Sequence, residues 1–500
     1  MINIINTLFI IMFLVEFYKN MIIYQQNQYI IKRYVNSLIR KSNFVSLVGV
    51  SVTLINYFIC NFIVKIIMLS IILIISIVVE HNKHYKLSFK FTHRMKRYFF
   101  VTIILIWMVM IFYLKEYSFV LILFSNIIVI IMHYFTLPIE NSIRKFYIKK
   151  ARNKINKLRP FVIGITGSYG KTSSKNILFD ILKSSKYVLP TPASFNTPMG
   201  LSITINNDLT PLHEVFIAEM GAYVRGEIKE NCDIVSPDIG IITSIGTAHL
   251  ESFGSRENIL KGKFELVESL KENGVAILNA DDDYLMSYEI KSKCKVLTYS
   301  IDKDSDLKAY DLVMGVKGLE FSFNYEDKEY RVKSKLLGRH NVYNILSCLL
   351  VSIHLGLNID KIIYAIKDVN VVPHRLELRQ SYGCTIIDDA FNSNPIGAKE
   401  AANVLGQMEG YRVAMTPGMI ELGQDEYKLN KEFASQLVLN SDFVYIVGKN
   451  RAKPFIDEFK ELDFINYEVV ATVDEGFRKF FSIKKNDKVL LIENDLSDIY

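Results

Sequence analysis

The sequence predicts an α-helical transmembrane module followed by two α/β domains. The first of these is a central parallel-sheet domain built on a phosphate loop, and the second is smaller and of dinucleotide-fold type. Three observations carry that prediction. The apolar excess of the 500-residue chain sits almost entirely before Pro138. A β-branched run, a glycine turn and a helical pattern follow one another over residues 161–180. Beyond them, short apolar runs alternate with helical patterns, which argues for parallel strands covered on both faces. The domain limits read as 1–150, 151–370 and 371–500.

Four apolar stretches mark the first domain, at residues 4–15, 45–79, 99–114 and 118–137. A bilayer crossing takes about 20 apolar residues, so the first stretch needs its flanks to complete one. The second is too long for one crossing and holds Asn56, Asn61 and Lys65 near its middle. It reads as a tight hairpin of two short helices. The polar linkers 19–41 and 81–97 and the segment 144–152 are rich in Lys and Arg, whereas 115–117 is short and roughly neutral. The positive-inside rule places the basic segments in the cytoplasm. About five crossings result, with the amino terminus outside and everything after residue 150 on the cytoplasmic side of the cell membrane; four to six helices satisfy the pattern. A cleaved signal peptide fits poorly, because the first stretch lacks a basic start and a small-residue cleavage site. No intramembrane carboxylate suggests an ion path, and His133 in the last stretch reads as a packing or interfacial residue rather than a relay.

Net charge is +7, much of it in basic clusters flanking the apolar stretches. That distribution belongs to membrane topology and argues against a nucleic-acid partner. The five cysteines are scattered without a CxxC pair, which suits a reducing cytosol and suggests neither a disulfide framework nor a zinc site.

The stretch Phe161-Val-Ile-Gly-Ile-Thr-Gly-Ser-Tyr-Gly-Lys-Thr172 organises the second domain. Residues 161–166 read as a buried parallel strand. Gly167 and Gly170 permit backbone conformations that a Cβ would obstruct, and a helical pattern starts at Lys171. Strand, turn and helix N-terminus together make an anion cradle. Lys171 would lie against terminal phosphates and the Thr172 hydroxyl would hold Mg²⁺. Ile165 stands at the first glycine of the standard phosphate loop, leaving the shorter Gly167-x-x-Gly170-Lys171-Thr172. A plain glycine turn would not require Lys-Thr directly after the second glycine.

Further strands are expected at 215–218, before Glu219, at 239–243, before His249, and at 275–278, before Asn279-Ala-Asp-Asp-Asp283. Ligands of such sheets sit beyond the carboxyl ends of the strands, where these polar residues fall. In the last domain, runs at 385–387, 413–416, 443–447 and 489–492 read as strands of a second sheet. The first of them ends in Asp388-Asp389, and a helix is expected from Gly397.

The chain resembles the Mur ligases, ATP-dependent enzymes that join amino acids to the growing peptidoglycan stem peptide, and among them most the members that add D-alanyl-D-alanine. The motifs that carry the resemblance begin with Thr166-Gly-Ser-Tyr-Gly-Lys-Thr172, Ser194-Phe-Asn-Thr-Pro-Met-Gly-Leu201 and Glu219-Met-Gly-Ala222. They continue through Ile245-Gly-Thr-Ala-His-Leu-Glu-Ser-Phe-Gly-Ser255, Lys263-Phe-Glu265 and Gly338-Arg-His-Asn-Val-Tyr-Asn344. Pro373-His-Arg-Leu-Glu377, Asp388-Asp-Ala-Phe-Asn-Ser-Asn-Pro395 and Thr416-Pro-Gly-Met-Ile-Glu-Leu-Gly423 complete the series in family order.

The resemblance implies an ATP site formed by Gly167, Ser168, Gly170, Lys171, Thr172, Asn196, Asn341, Asn344, Arg375 and Asp389. Asn341 and Asn344 would read the adenine edge, Arg375 would face phosphate or ribose, and Asp389 the ribose hydroxyls. Glu219 offers Mg²⁺ a hard oxygen, His249 matches a ligand to a second magnesium, and Lys263 matches the lysine that the family carbamylates. Lys171, Lys263, His249 and Arg375 are the implied catalytic residues. The segment 417–423 would lie near the incoming amine.

The implied reaction is amide synthesis driven by ATP through an acyl phosphate, with a muramoyl peptide or other carboxylate as acyl substrate and an amino acid or dipeptide as amine. One part of the family pattern is replaced. Typical members begin with a soluble domain that holds the UDP of a UDP-muramoyl peptide, and here a membrane module stands in that place. A lipid-linked acceptor, or another polymer such as poly-γ-glutamate, is the alternative. A non-catalytic nucleotide sensor would have dispensed with Lys171, Glu219, His249 or Lys263, and all four are present.

Overall fold

A computed structural model describes residues 2–27, 29–40, 46–81, 89–112, 119–193, 195–247, 249–391, 393–420, 422–449 and 451–494. The connection 115–117, positions 28 and 41 of the first linker, 82–88 of the second, and the motif residues Ser194, Ala248, Asn392 and Glu421 lie outside them. The described residues divide into two compact units, one within residues 1–145 and one within 146–495.

The first unit is helical: Ile2–Gln26, Ile31–Arg40, Leu47–Phe58, Phe62–His81, His93–Phe112, Phe119–Leu123 and the start of Ser125–Leu158. Among the described residues, three helices are long and apolar enough to cross a bilayer, Ile4–Gln26, Phe62–His81 and Ser125–Leu158. The expected hairpin is present as two helices three residues apart, and the polar residues that suggested it make the turn. The Asn61 side chain accepts from the Ile63 and Val64 amides (3.0 and 3.2 Å), and Lys65 Nζ reaches back to Asn56 O (3.0 Å).

The expected polar linker from residue 19 is a correction: the first helix runs unbroken to Gln26. Its polar residues are satisfied inside the unit instead of in water. Glu16 accepts from Lys19 Nζ (2.8 Å), Ser46 Oγ (2.8 Å) and Ser76 Oγ (3.2 Å), while Asn20 Nδ2 donates to Ser125 Oγ (3.2 Å). A buried carboxylate therefore does exist in this unit, and full pairing is what makes it tolerable there. His133 packs as expected, with Nδ1 2.5 Å from the Tyr24 hydroxyl.

The second unit holds two sheets. The larger contains β1 (Phe161–Thr166), β2 (Val188–Pro190), β3 (Val215–Glu219), β4 (Ile239–Ile242), β5 (Val275–Asn279), β6 (Lys295–Ser300), β7 (Leu307–Gly315), β8 (Gly318–Tyr325) and β9 (Lys328–Ser334). Its order is β2-β3-β1-β4-β5-β6-β7-β8-β9. Strands up to β7 are parallel, whereas β7-β8-β9 is an antiparallel meander. The expectation of a parallel sheet therefore holds for the part that carries the phosphate loop. Alternation along β1 sends Ile163 and Ile165 to one face, under Ile177, Leu178 and Ile345, and Val162 to the other, against Phe216 and Phe264.

The smaller sheet contains β10 (Glu377–Ser381), β11 (Cys384–Asp389), β12 (Tyr411–Thr416), β13 (Phe443–Val447), β14 (Tyr467–Val470) and β15 (Lys488–Glu493), ordered β10-β11-β15-β12-β13-β14. Only β10 is antiparallel. The helix expected from Gly397 begins at Pro395, because Asn394 caps it by accepting from the Gly397 amide (2.9 Å) and proline suits the first turn.

Candidate active site

The phosphate loop leaves β1 where Ile165 pairs in register with Glu219 of β3. Gly167 has φ +146°, and a Cβ there would lie 2.0 Å from Thr243 Oγ1. Gly170 has φ +82° and faces Asn344 Oδ1, which a Cβ would approach to 2.6 Å. Both glycines are therefore required by close approach. Gly170 also caps the helix Lys171–Leu182 without a side-chain hydrogen bond, so the first-turn amides there have no side-chain cap and can meet an anion. The Ser168 amide donates to Ser244 O (2.9 Å) and its hydroxyl accepts from the Gly246 amide (2.9 Å), tying the loop to the one after β4.

Lys171 Nζ donates to Gly167 O (2.7 Å) and Ser168 O (3.3 Å). Burial lowers its ammonium to about 8; the Glu219 charge opposes that shift and the Arg375 charge adds to it. Glu219 is 1% exposed at the end of β3. Its Oε1 accepts from Thr172 Oγ1 and Asn196 Nδ2, each at 3.2 Å, and its Oε2 lies 3.0 Å from Lys175 Nζ. Burial alone would raise this carboxyl, but the Lys175 and Lys171 charges outweigh it and hold Glu219 below its ordinary range. Sequence reasoning missed Lys175. The signal was available, since Lys175 follows Lys171 by four residues and so shares its helix face.

The residues present fit Mg²⁺. Thr172 Oγ1 and Glu219 Oε1 are 3.2 Å apart, close to the roughly 3 Å edge of an octahedron with bonds of about 2.1 Å. Among the described residues no group of three or more His, Cys, Asp or Glu could hold a metal on its own. That donor set suits an ion shared with phosphate oxygens and water.

His249 stands at φ +61° before the short helix Leu250–Phe253, with its ring 4.4 Å from that of Tyr223, four residues beyond Glu219. Lys263 is 2% exposed on the helix Arg256–Glu268. Burial and then the Lys171 charge push its ammonium down to about 7, with Glu227 and Glu265 opposing. Phe253 lies beneath it, 5.7 Å from ring centre to Nζ. Lys171, Glu219, Lys263 and Arg375 thus form one electrostatic neighbourhood.

Asn341 and Asn344 share a helix face as expected, and both are buried. Asn344 Nδ2 donates to Asn341 Oδ1 (2.9 Å), Asn341 Nδ2 to Leu337 O (2.7 Å), and Ser174 Oγ to Asn344 Oδ1 (3.1 Å). Their amides therefore fasten the helix Arg339–His354 to the phosphate-loop helix. From the smaller sheet's side, burial lowers the Arg375 guanidinium while Glu219 and Asp389 pull it back up, and its plane lies 5.0 Å over Phe391.

The paired aspartates divide their roles. Asp388 is taken by His374 Nδ1 (2.9 Å) and Arg379 (3.2 Å). Asp389 accepts the Leu376 amide (3.1 Å) and is pushed up to about 7 by burial. Glu493 pairs with Asp389 in register on β15 and was not anticipated as part of this group. It is fully buried, accepts from Ser393 and from Thr416 Oγ1 (3.2 Å), and is raised to about 8 by burial and then by Asp389.

Residues 165–352 match the model of the Mur ligase middle domain, and residues 374–492 that of the Mur ligase glutamate ligase domain. The chain is 30% identical over 303 residues to the UDP-N-acetylmuramoyl-tripeptide–D-alanyl-D-alanine ligase of Bacillus subtilis, covering 60% of this chain and 65% of that one. It is 33% identical to the Escherichia coli enzyme of the same name, covering 53% and 59% respectively. The chain thus spans about three-fifths of the length of these relatives. Among solved structures it is similar to the MurF ligase of Thermotoga maritima in complex with ADP, with TM-score 0.63, 29% identity and coverage of 70% of this chain and 80% of that one.

Proposed function

We propose that this chain, which belongs to the Mur ligase family, is a membrane-anchored, ATP-dependent ligase that adds D-alanyl-D-alanine to a muramoyl-tripeptide in peptidoglycan synthesis. The observation that carries this reading is the convergence of Lys171, Glu219, Lys263 and Arg375 on one phosphate loop.

A substrate carboxylate attacks the γ-phosphate of ATP, giving an acyl phosphate and ADP. The amine then attacks the activated carbonyl and gives up a proton to solvent, and phosphate leaves with the electron pair of the carbonyl–oxygen bond. Mg²⁺, when bound by Thr172 and Glu219 together with phosphate oxygens, supplies charge neutralisation. The chain's own contribution is positioning and electrostatics. Lys171 leaves its loop carbonyls for the phosphates. Arg375 brings a second cation from the closing domain, and Asp389 presents its remaining oxygen towards the ribose. Closure of that domain keeps water from the acyl phosphate.

The three apolar helices support a chain held at the cell membrane with the ligase domains in the cytoplasm. They also favour a second reading, in which the acyl substrate is lipid-linked. Detergent-purified protein would be assayed for ADP release with UDP-muramoyl-tripeptide plus D-alanyl-D-alanine, and in parallel with lipid-linked acceptors. Turnover that requires both the UDP substrate and the dipeptide is expected. Turnover confined to lipid-linked acceptors would transfer the proposal to the second reading, and none with either would end it.

A further inference from the structure

Lys175 is 1% exposed and takes no part in the mechanism above. Its ammonium lies 3.0 Å from Glu219 Oε2 and donates to Ala193 O at 2.5 Å. The two contacts join the end of β3 to the 191–197 segment, whose Asn196 touches the other oxygen of the same carboxylate at 3.2 Å. Glu219 therefore keeps one oxygen, Oε1, towards the Thr172 hydroxyl, and has the other engaged by a buried cation.

We propose that Lys175 is the internal counter-cation of the metal site: it confines Glu219 to one-oxygen binding and disfavours a bare divalent ion, so that the pocket selects metal already carried on nucleotide phosphates. This rests on the ATP and Mg²⁺ assignment proposed above. Charge supplies the reason. Around the single carboxylate of Glu219 stand Lys175, Lys171 and Arg375, two of which alone exceed its charge. A dication entering by itself meets a net positive, water-poor pocket, where repulsion at a few ångströms is far stronger than in water. Nucleotide phosphates bring the negative charge that reverses the balance. Lys171 and Arg375 can swing to those phosphates, whereas Lys175 is held by Ala193 O and Glu219 and keeps its station.

The test is binding of Mn²⁺, a paramagnetic substitute for Mg²⁺, to the full chain in detergent without nucleotide, read by electron paramagnetic resonance. Lys175→Met is expected to bind Mn²⁺ at least about 10-fold more tightly than the wild type, and Lys175→Arg to match the wild type. The preference for Mn²⁺ with ADP over Mn²⁺ alone is expected to shrink in the Met variant. Lys175→Gln, which keeps a donor for Ala193 O, replaces it if thermal melting shows that Met disturbs the fold. Unchanged or weaker Mn²⁺ binding in a folded Met or Gln variant that still binds ADP would overturn the proposal. A wild type that binds no ADP would instead sink the nucleotide assignment itself.

Discussion

Lys263 is buried beside a second cation, and its ammonium falls from 10.5 to about 7. At pH 7.5 about three Lys263 amines in four are then neutral, against about one in a thousand for a lysine in water. Only the neutral amine forms a carbamate. The fold thus raises the reactive fraction about 700-fold at this pH, and the whole shift is worth about 5 kcal/mol of differential stabilisation of the uncharged form. Lys263 is a base with a lowered titration point, so the neutral form appears as pH rises through about 7 and is scarce, about one in ten, at pH 6. In ¹³C-bicarbonate held at fixed concentration, the carbamate ¹³C signal is expected to grow from pH 6 to 8 and then level off. Lys263→Arg should remove it. Lys171→Ala, which takes away the second cause of the shift, should move the midpoint upward. A signal that survives Lys263→Arg, or a midpoint near 10, would refute the reasoning.

Lys171→Ala is expected to abolish ATP turnover while leaving the melting temperature within a few degrees, because its side chain serves loop carbonyls and not the core; retained turnover would overturn the phosphate-loop assignment. Gly170→Ala should lose nucleotide affinity and about 1–2 kcal/mol or more of stability, combining left-handed strain with a 2.6 Å approach to Asn344 Oδ1; wild-type ADP affinity by calorimetry would contradict it. Glu493 holds its proton up to about 8 in the fold and to about 4.5 in the ordinary state, so its contribution is complete at low pH and is lost as pH rises across that window, up to about 5 kcal/mol. Glu493→Gln should flatten the decline in stability between pH 5 and 8, and parallel melting profiles for variant and wild type would count against it.

Much of this was legible in the sequence because the relevant signals are local. The β1 run, its two glycines and Lys171-Thr172 lie within 12 residues, and the structure places them as strand, turn and helix. Strands β3, β4, β5, β11, β12, β13 and β15 came through as apolar runs within a few residues of their ends. Strands β7 to β9 did not, because their outward faces are polar and their alternation is diluted by residues such as Lys328, Glu329 and Arg331. Lys19 read as the start of a linker, since nothing local reveals that Glu16, its partner one turn earlier, is itself satisfied by Ser46 and Ser76 from other helices. Glu493 was illegible for a related reason: its partners, Ser393 and Thr416, lie 100 and 77 residues away. The spacing of Asn341 and Asn344 placed them on one helix face, but only the fold shows how fully their amides are engaged with each other and with Ser174.

Whether ATP is spent on activating a carboxylate is tested most directly by isotope transfer. The acyl substrate, labelled with ¹⁸O in both carboxylate oxygens, would be turned over with D-alanyl-D-alanine, and the released phosphate analysed by mass spectrometry. An acyl-phosphate route predicts one ¹⁸O in each phosphate and one retained in the new amide. Phosphate free of ¹⁸O, its fourth oxygen taken from water, would mean that the phosphate loop drives simple ATP hydrolysis, and would contradict carboxylate activation.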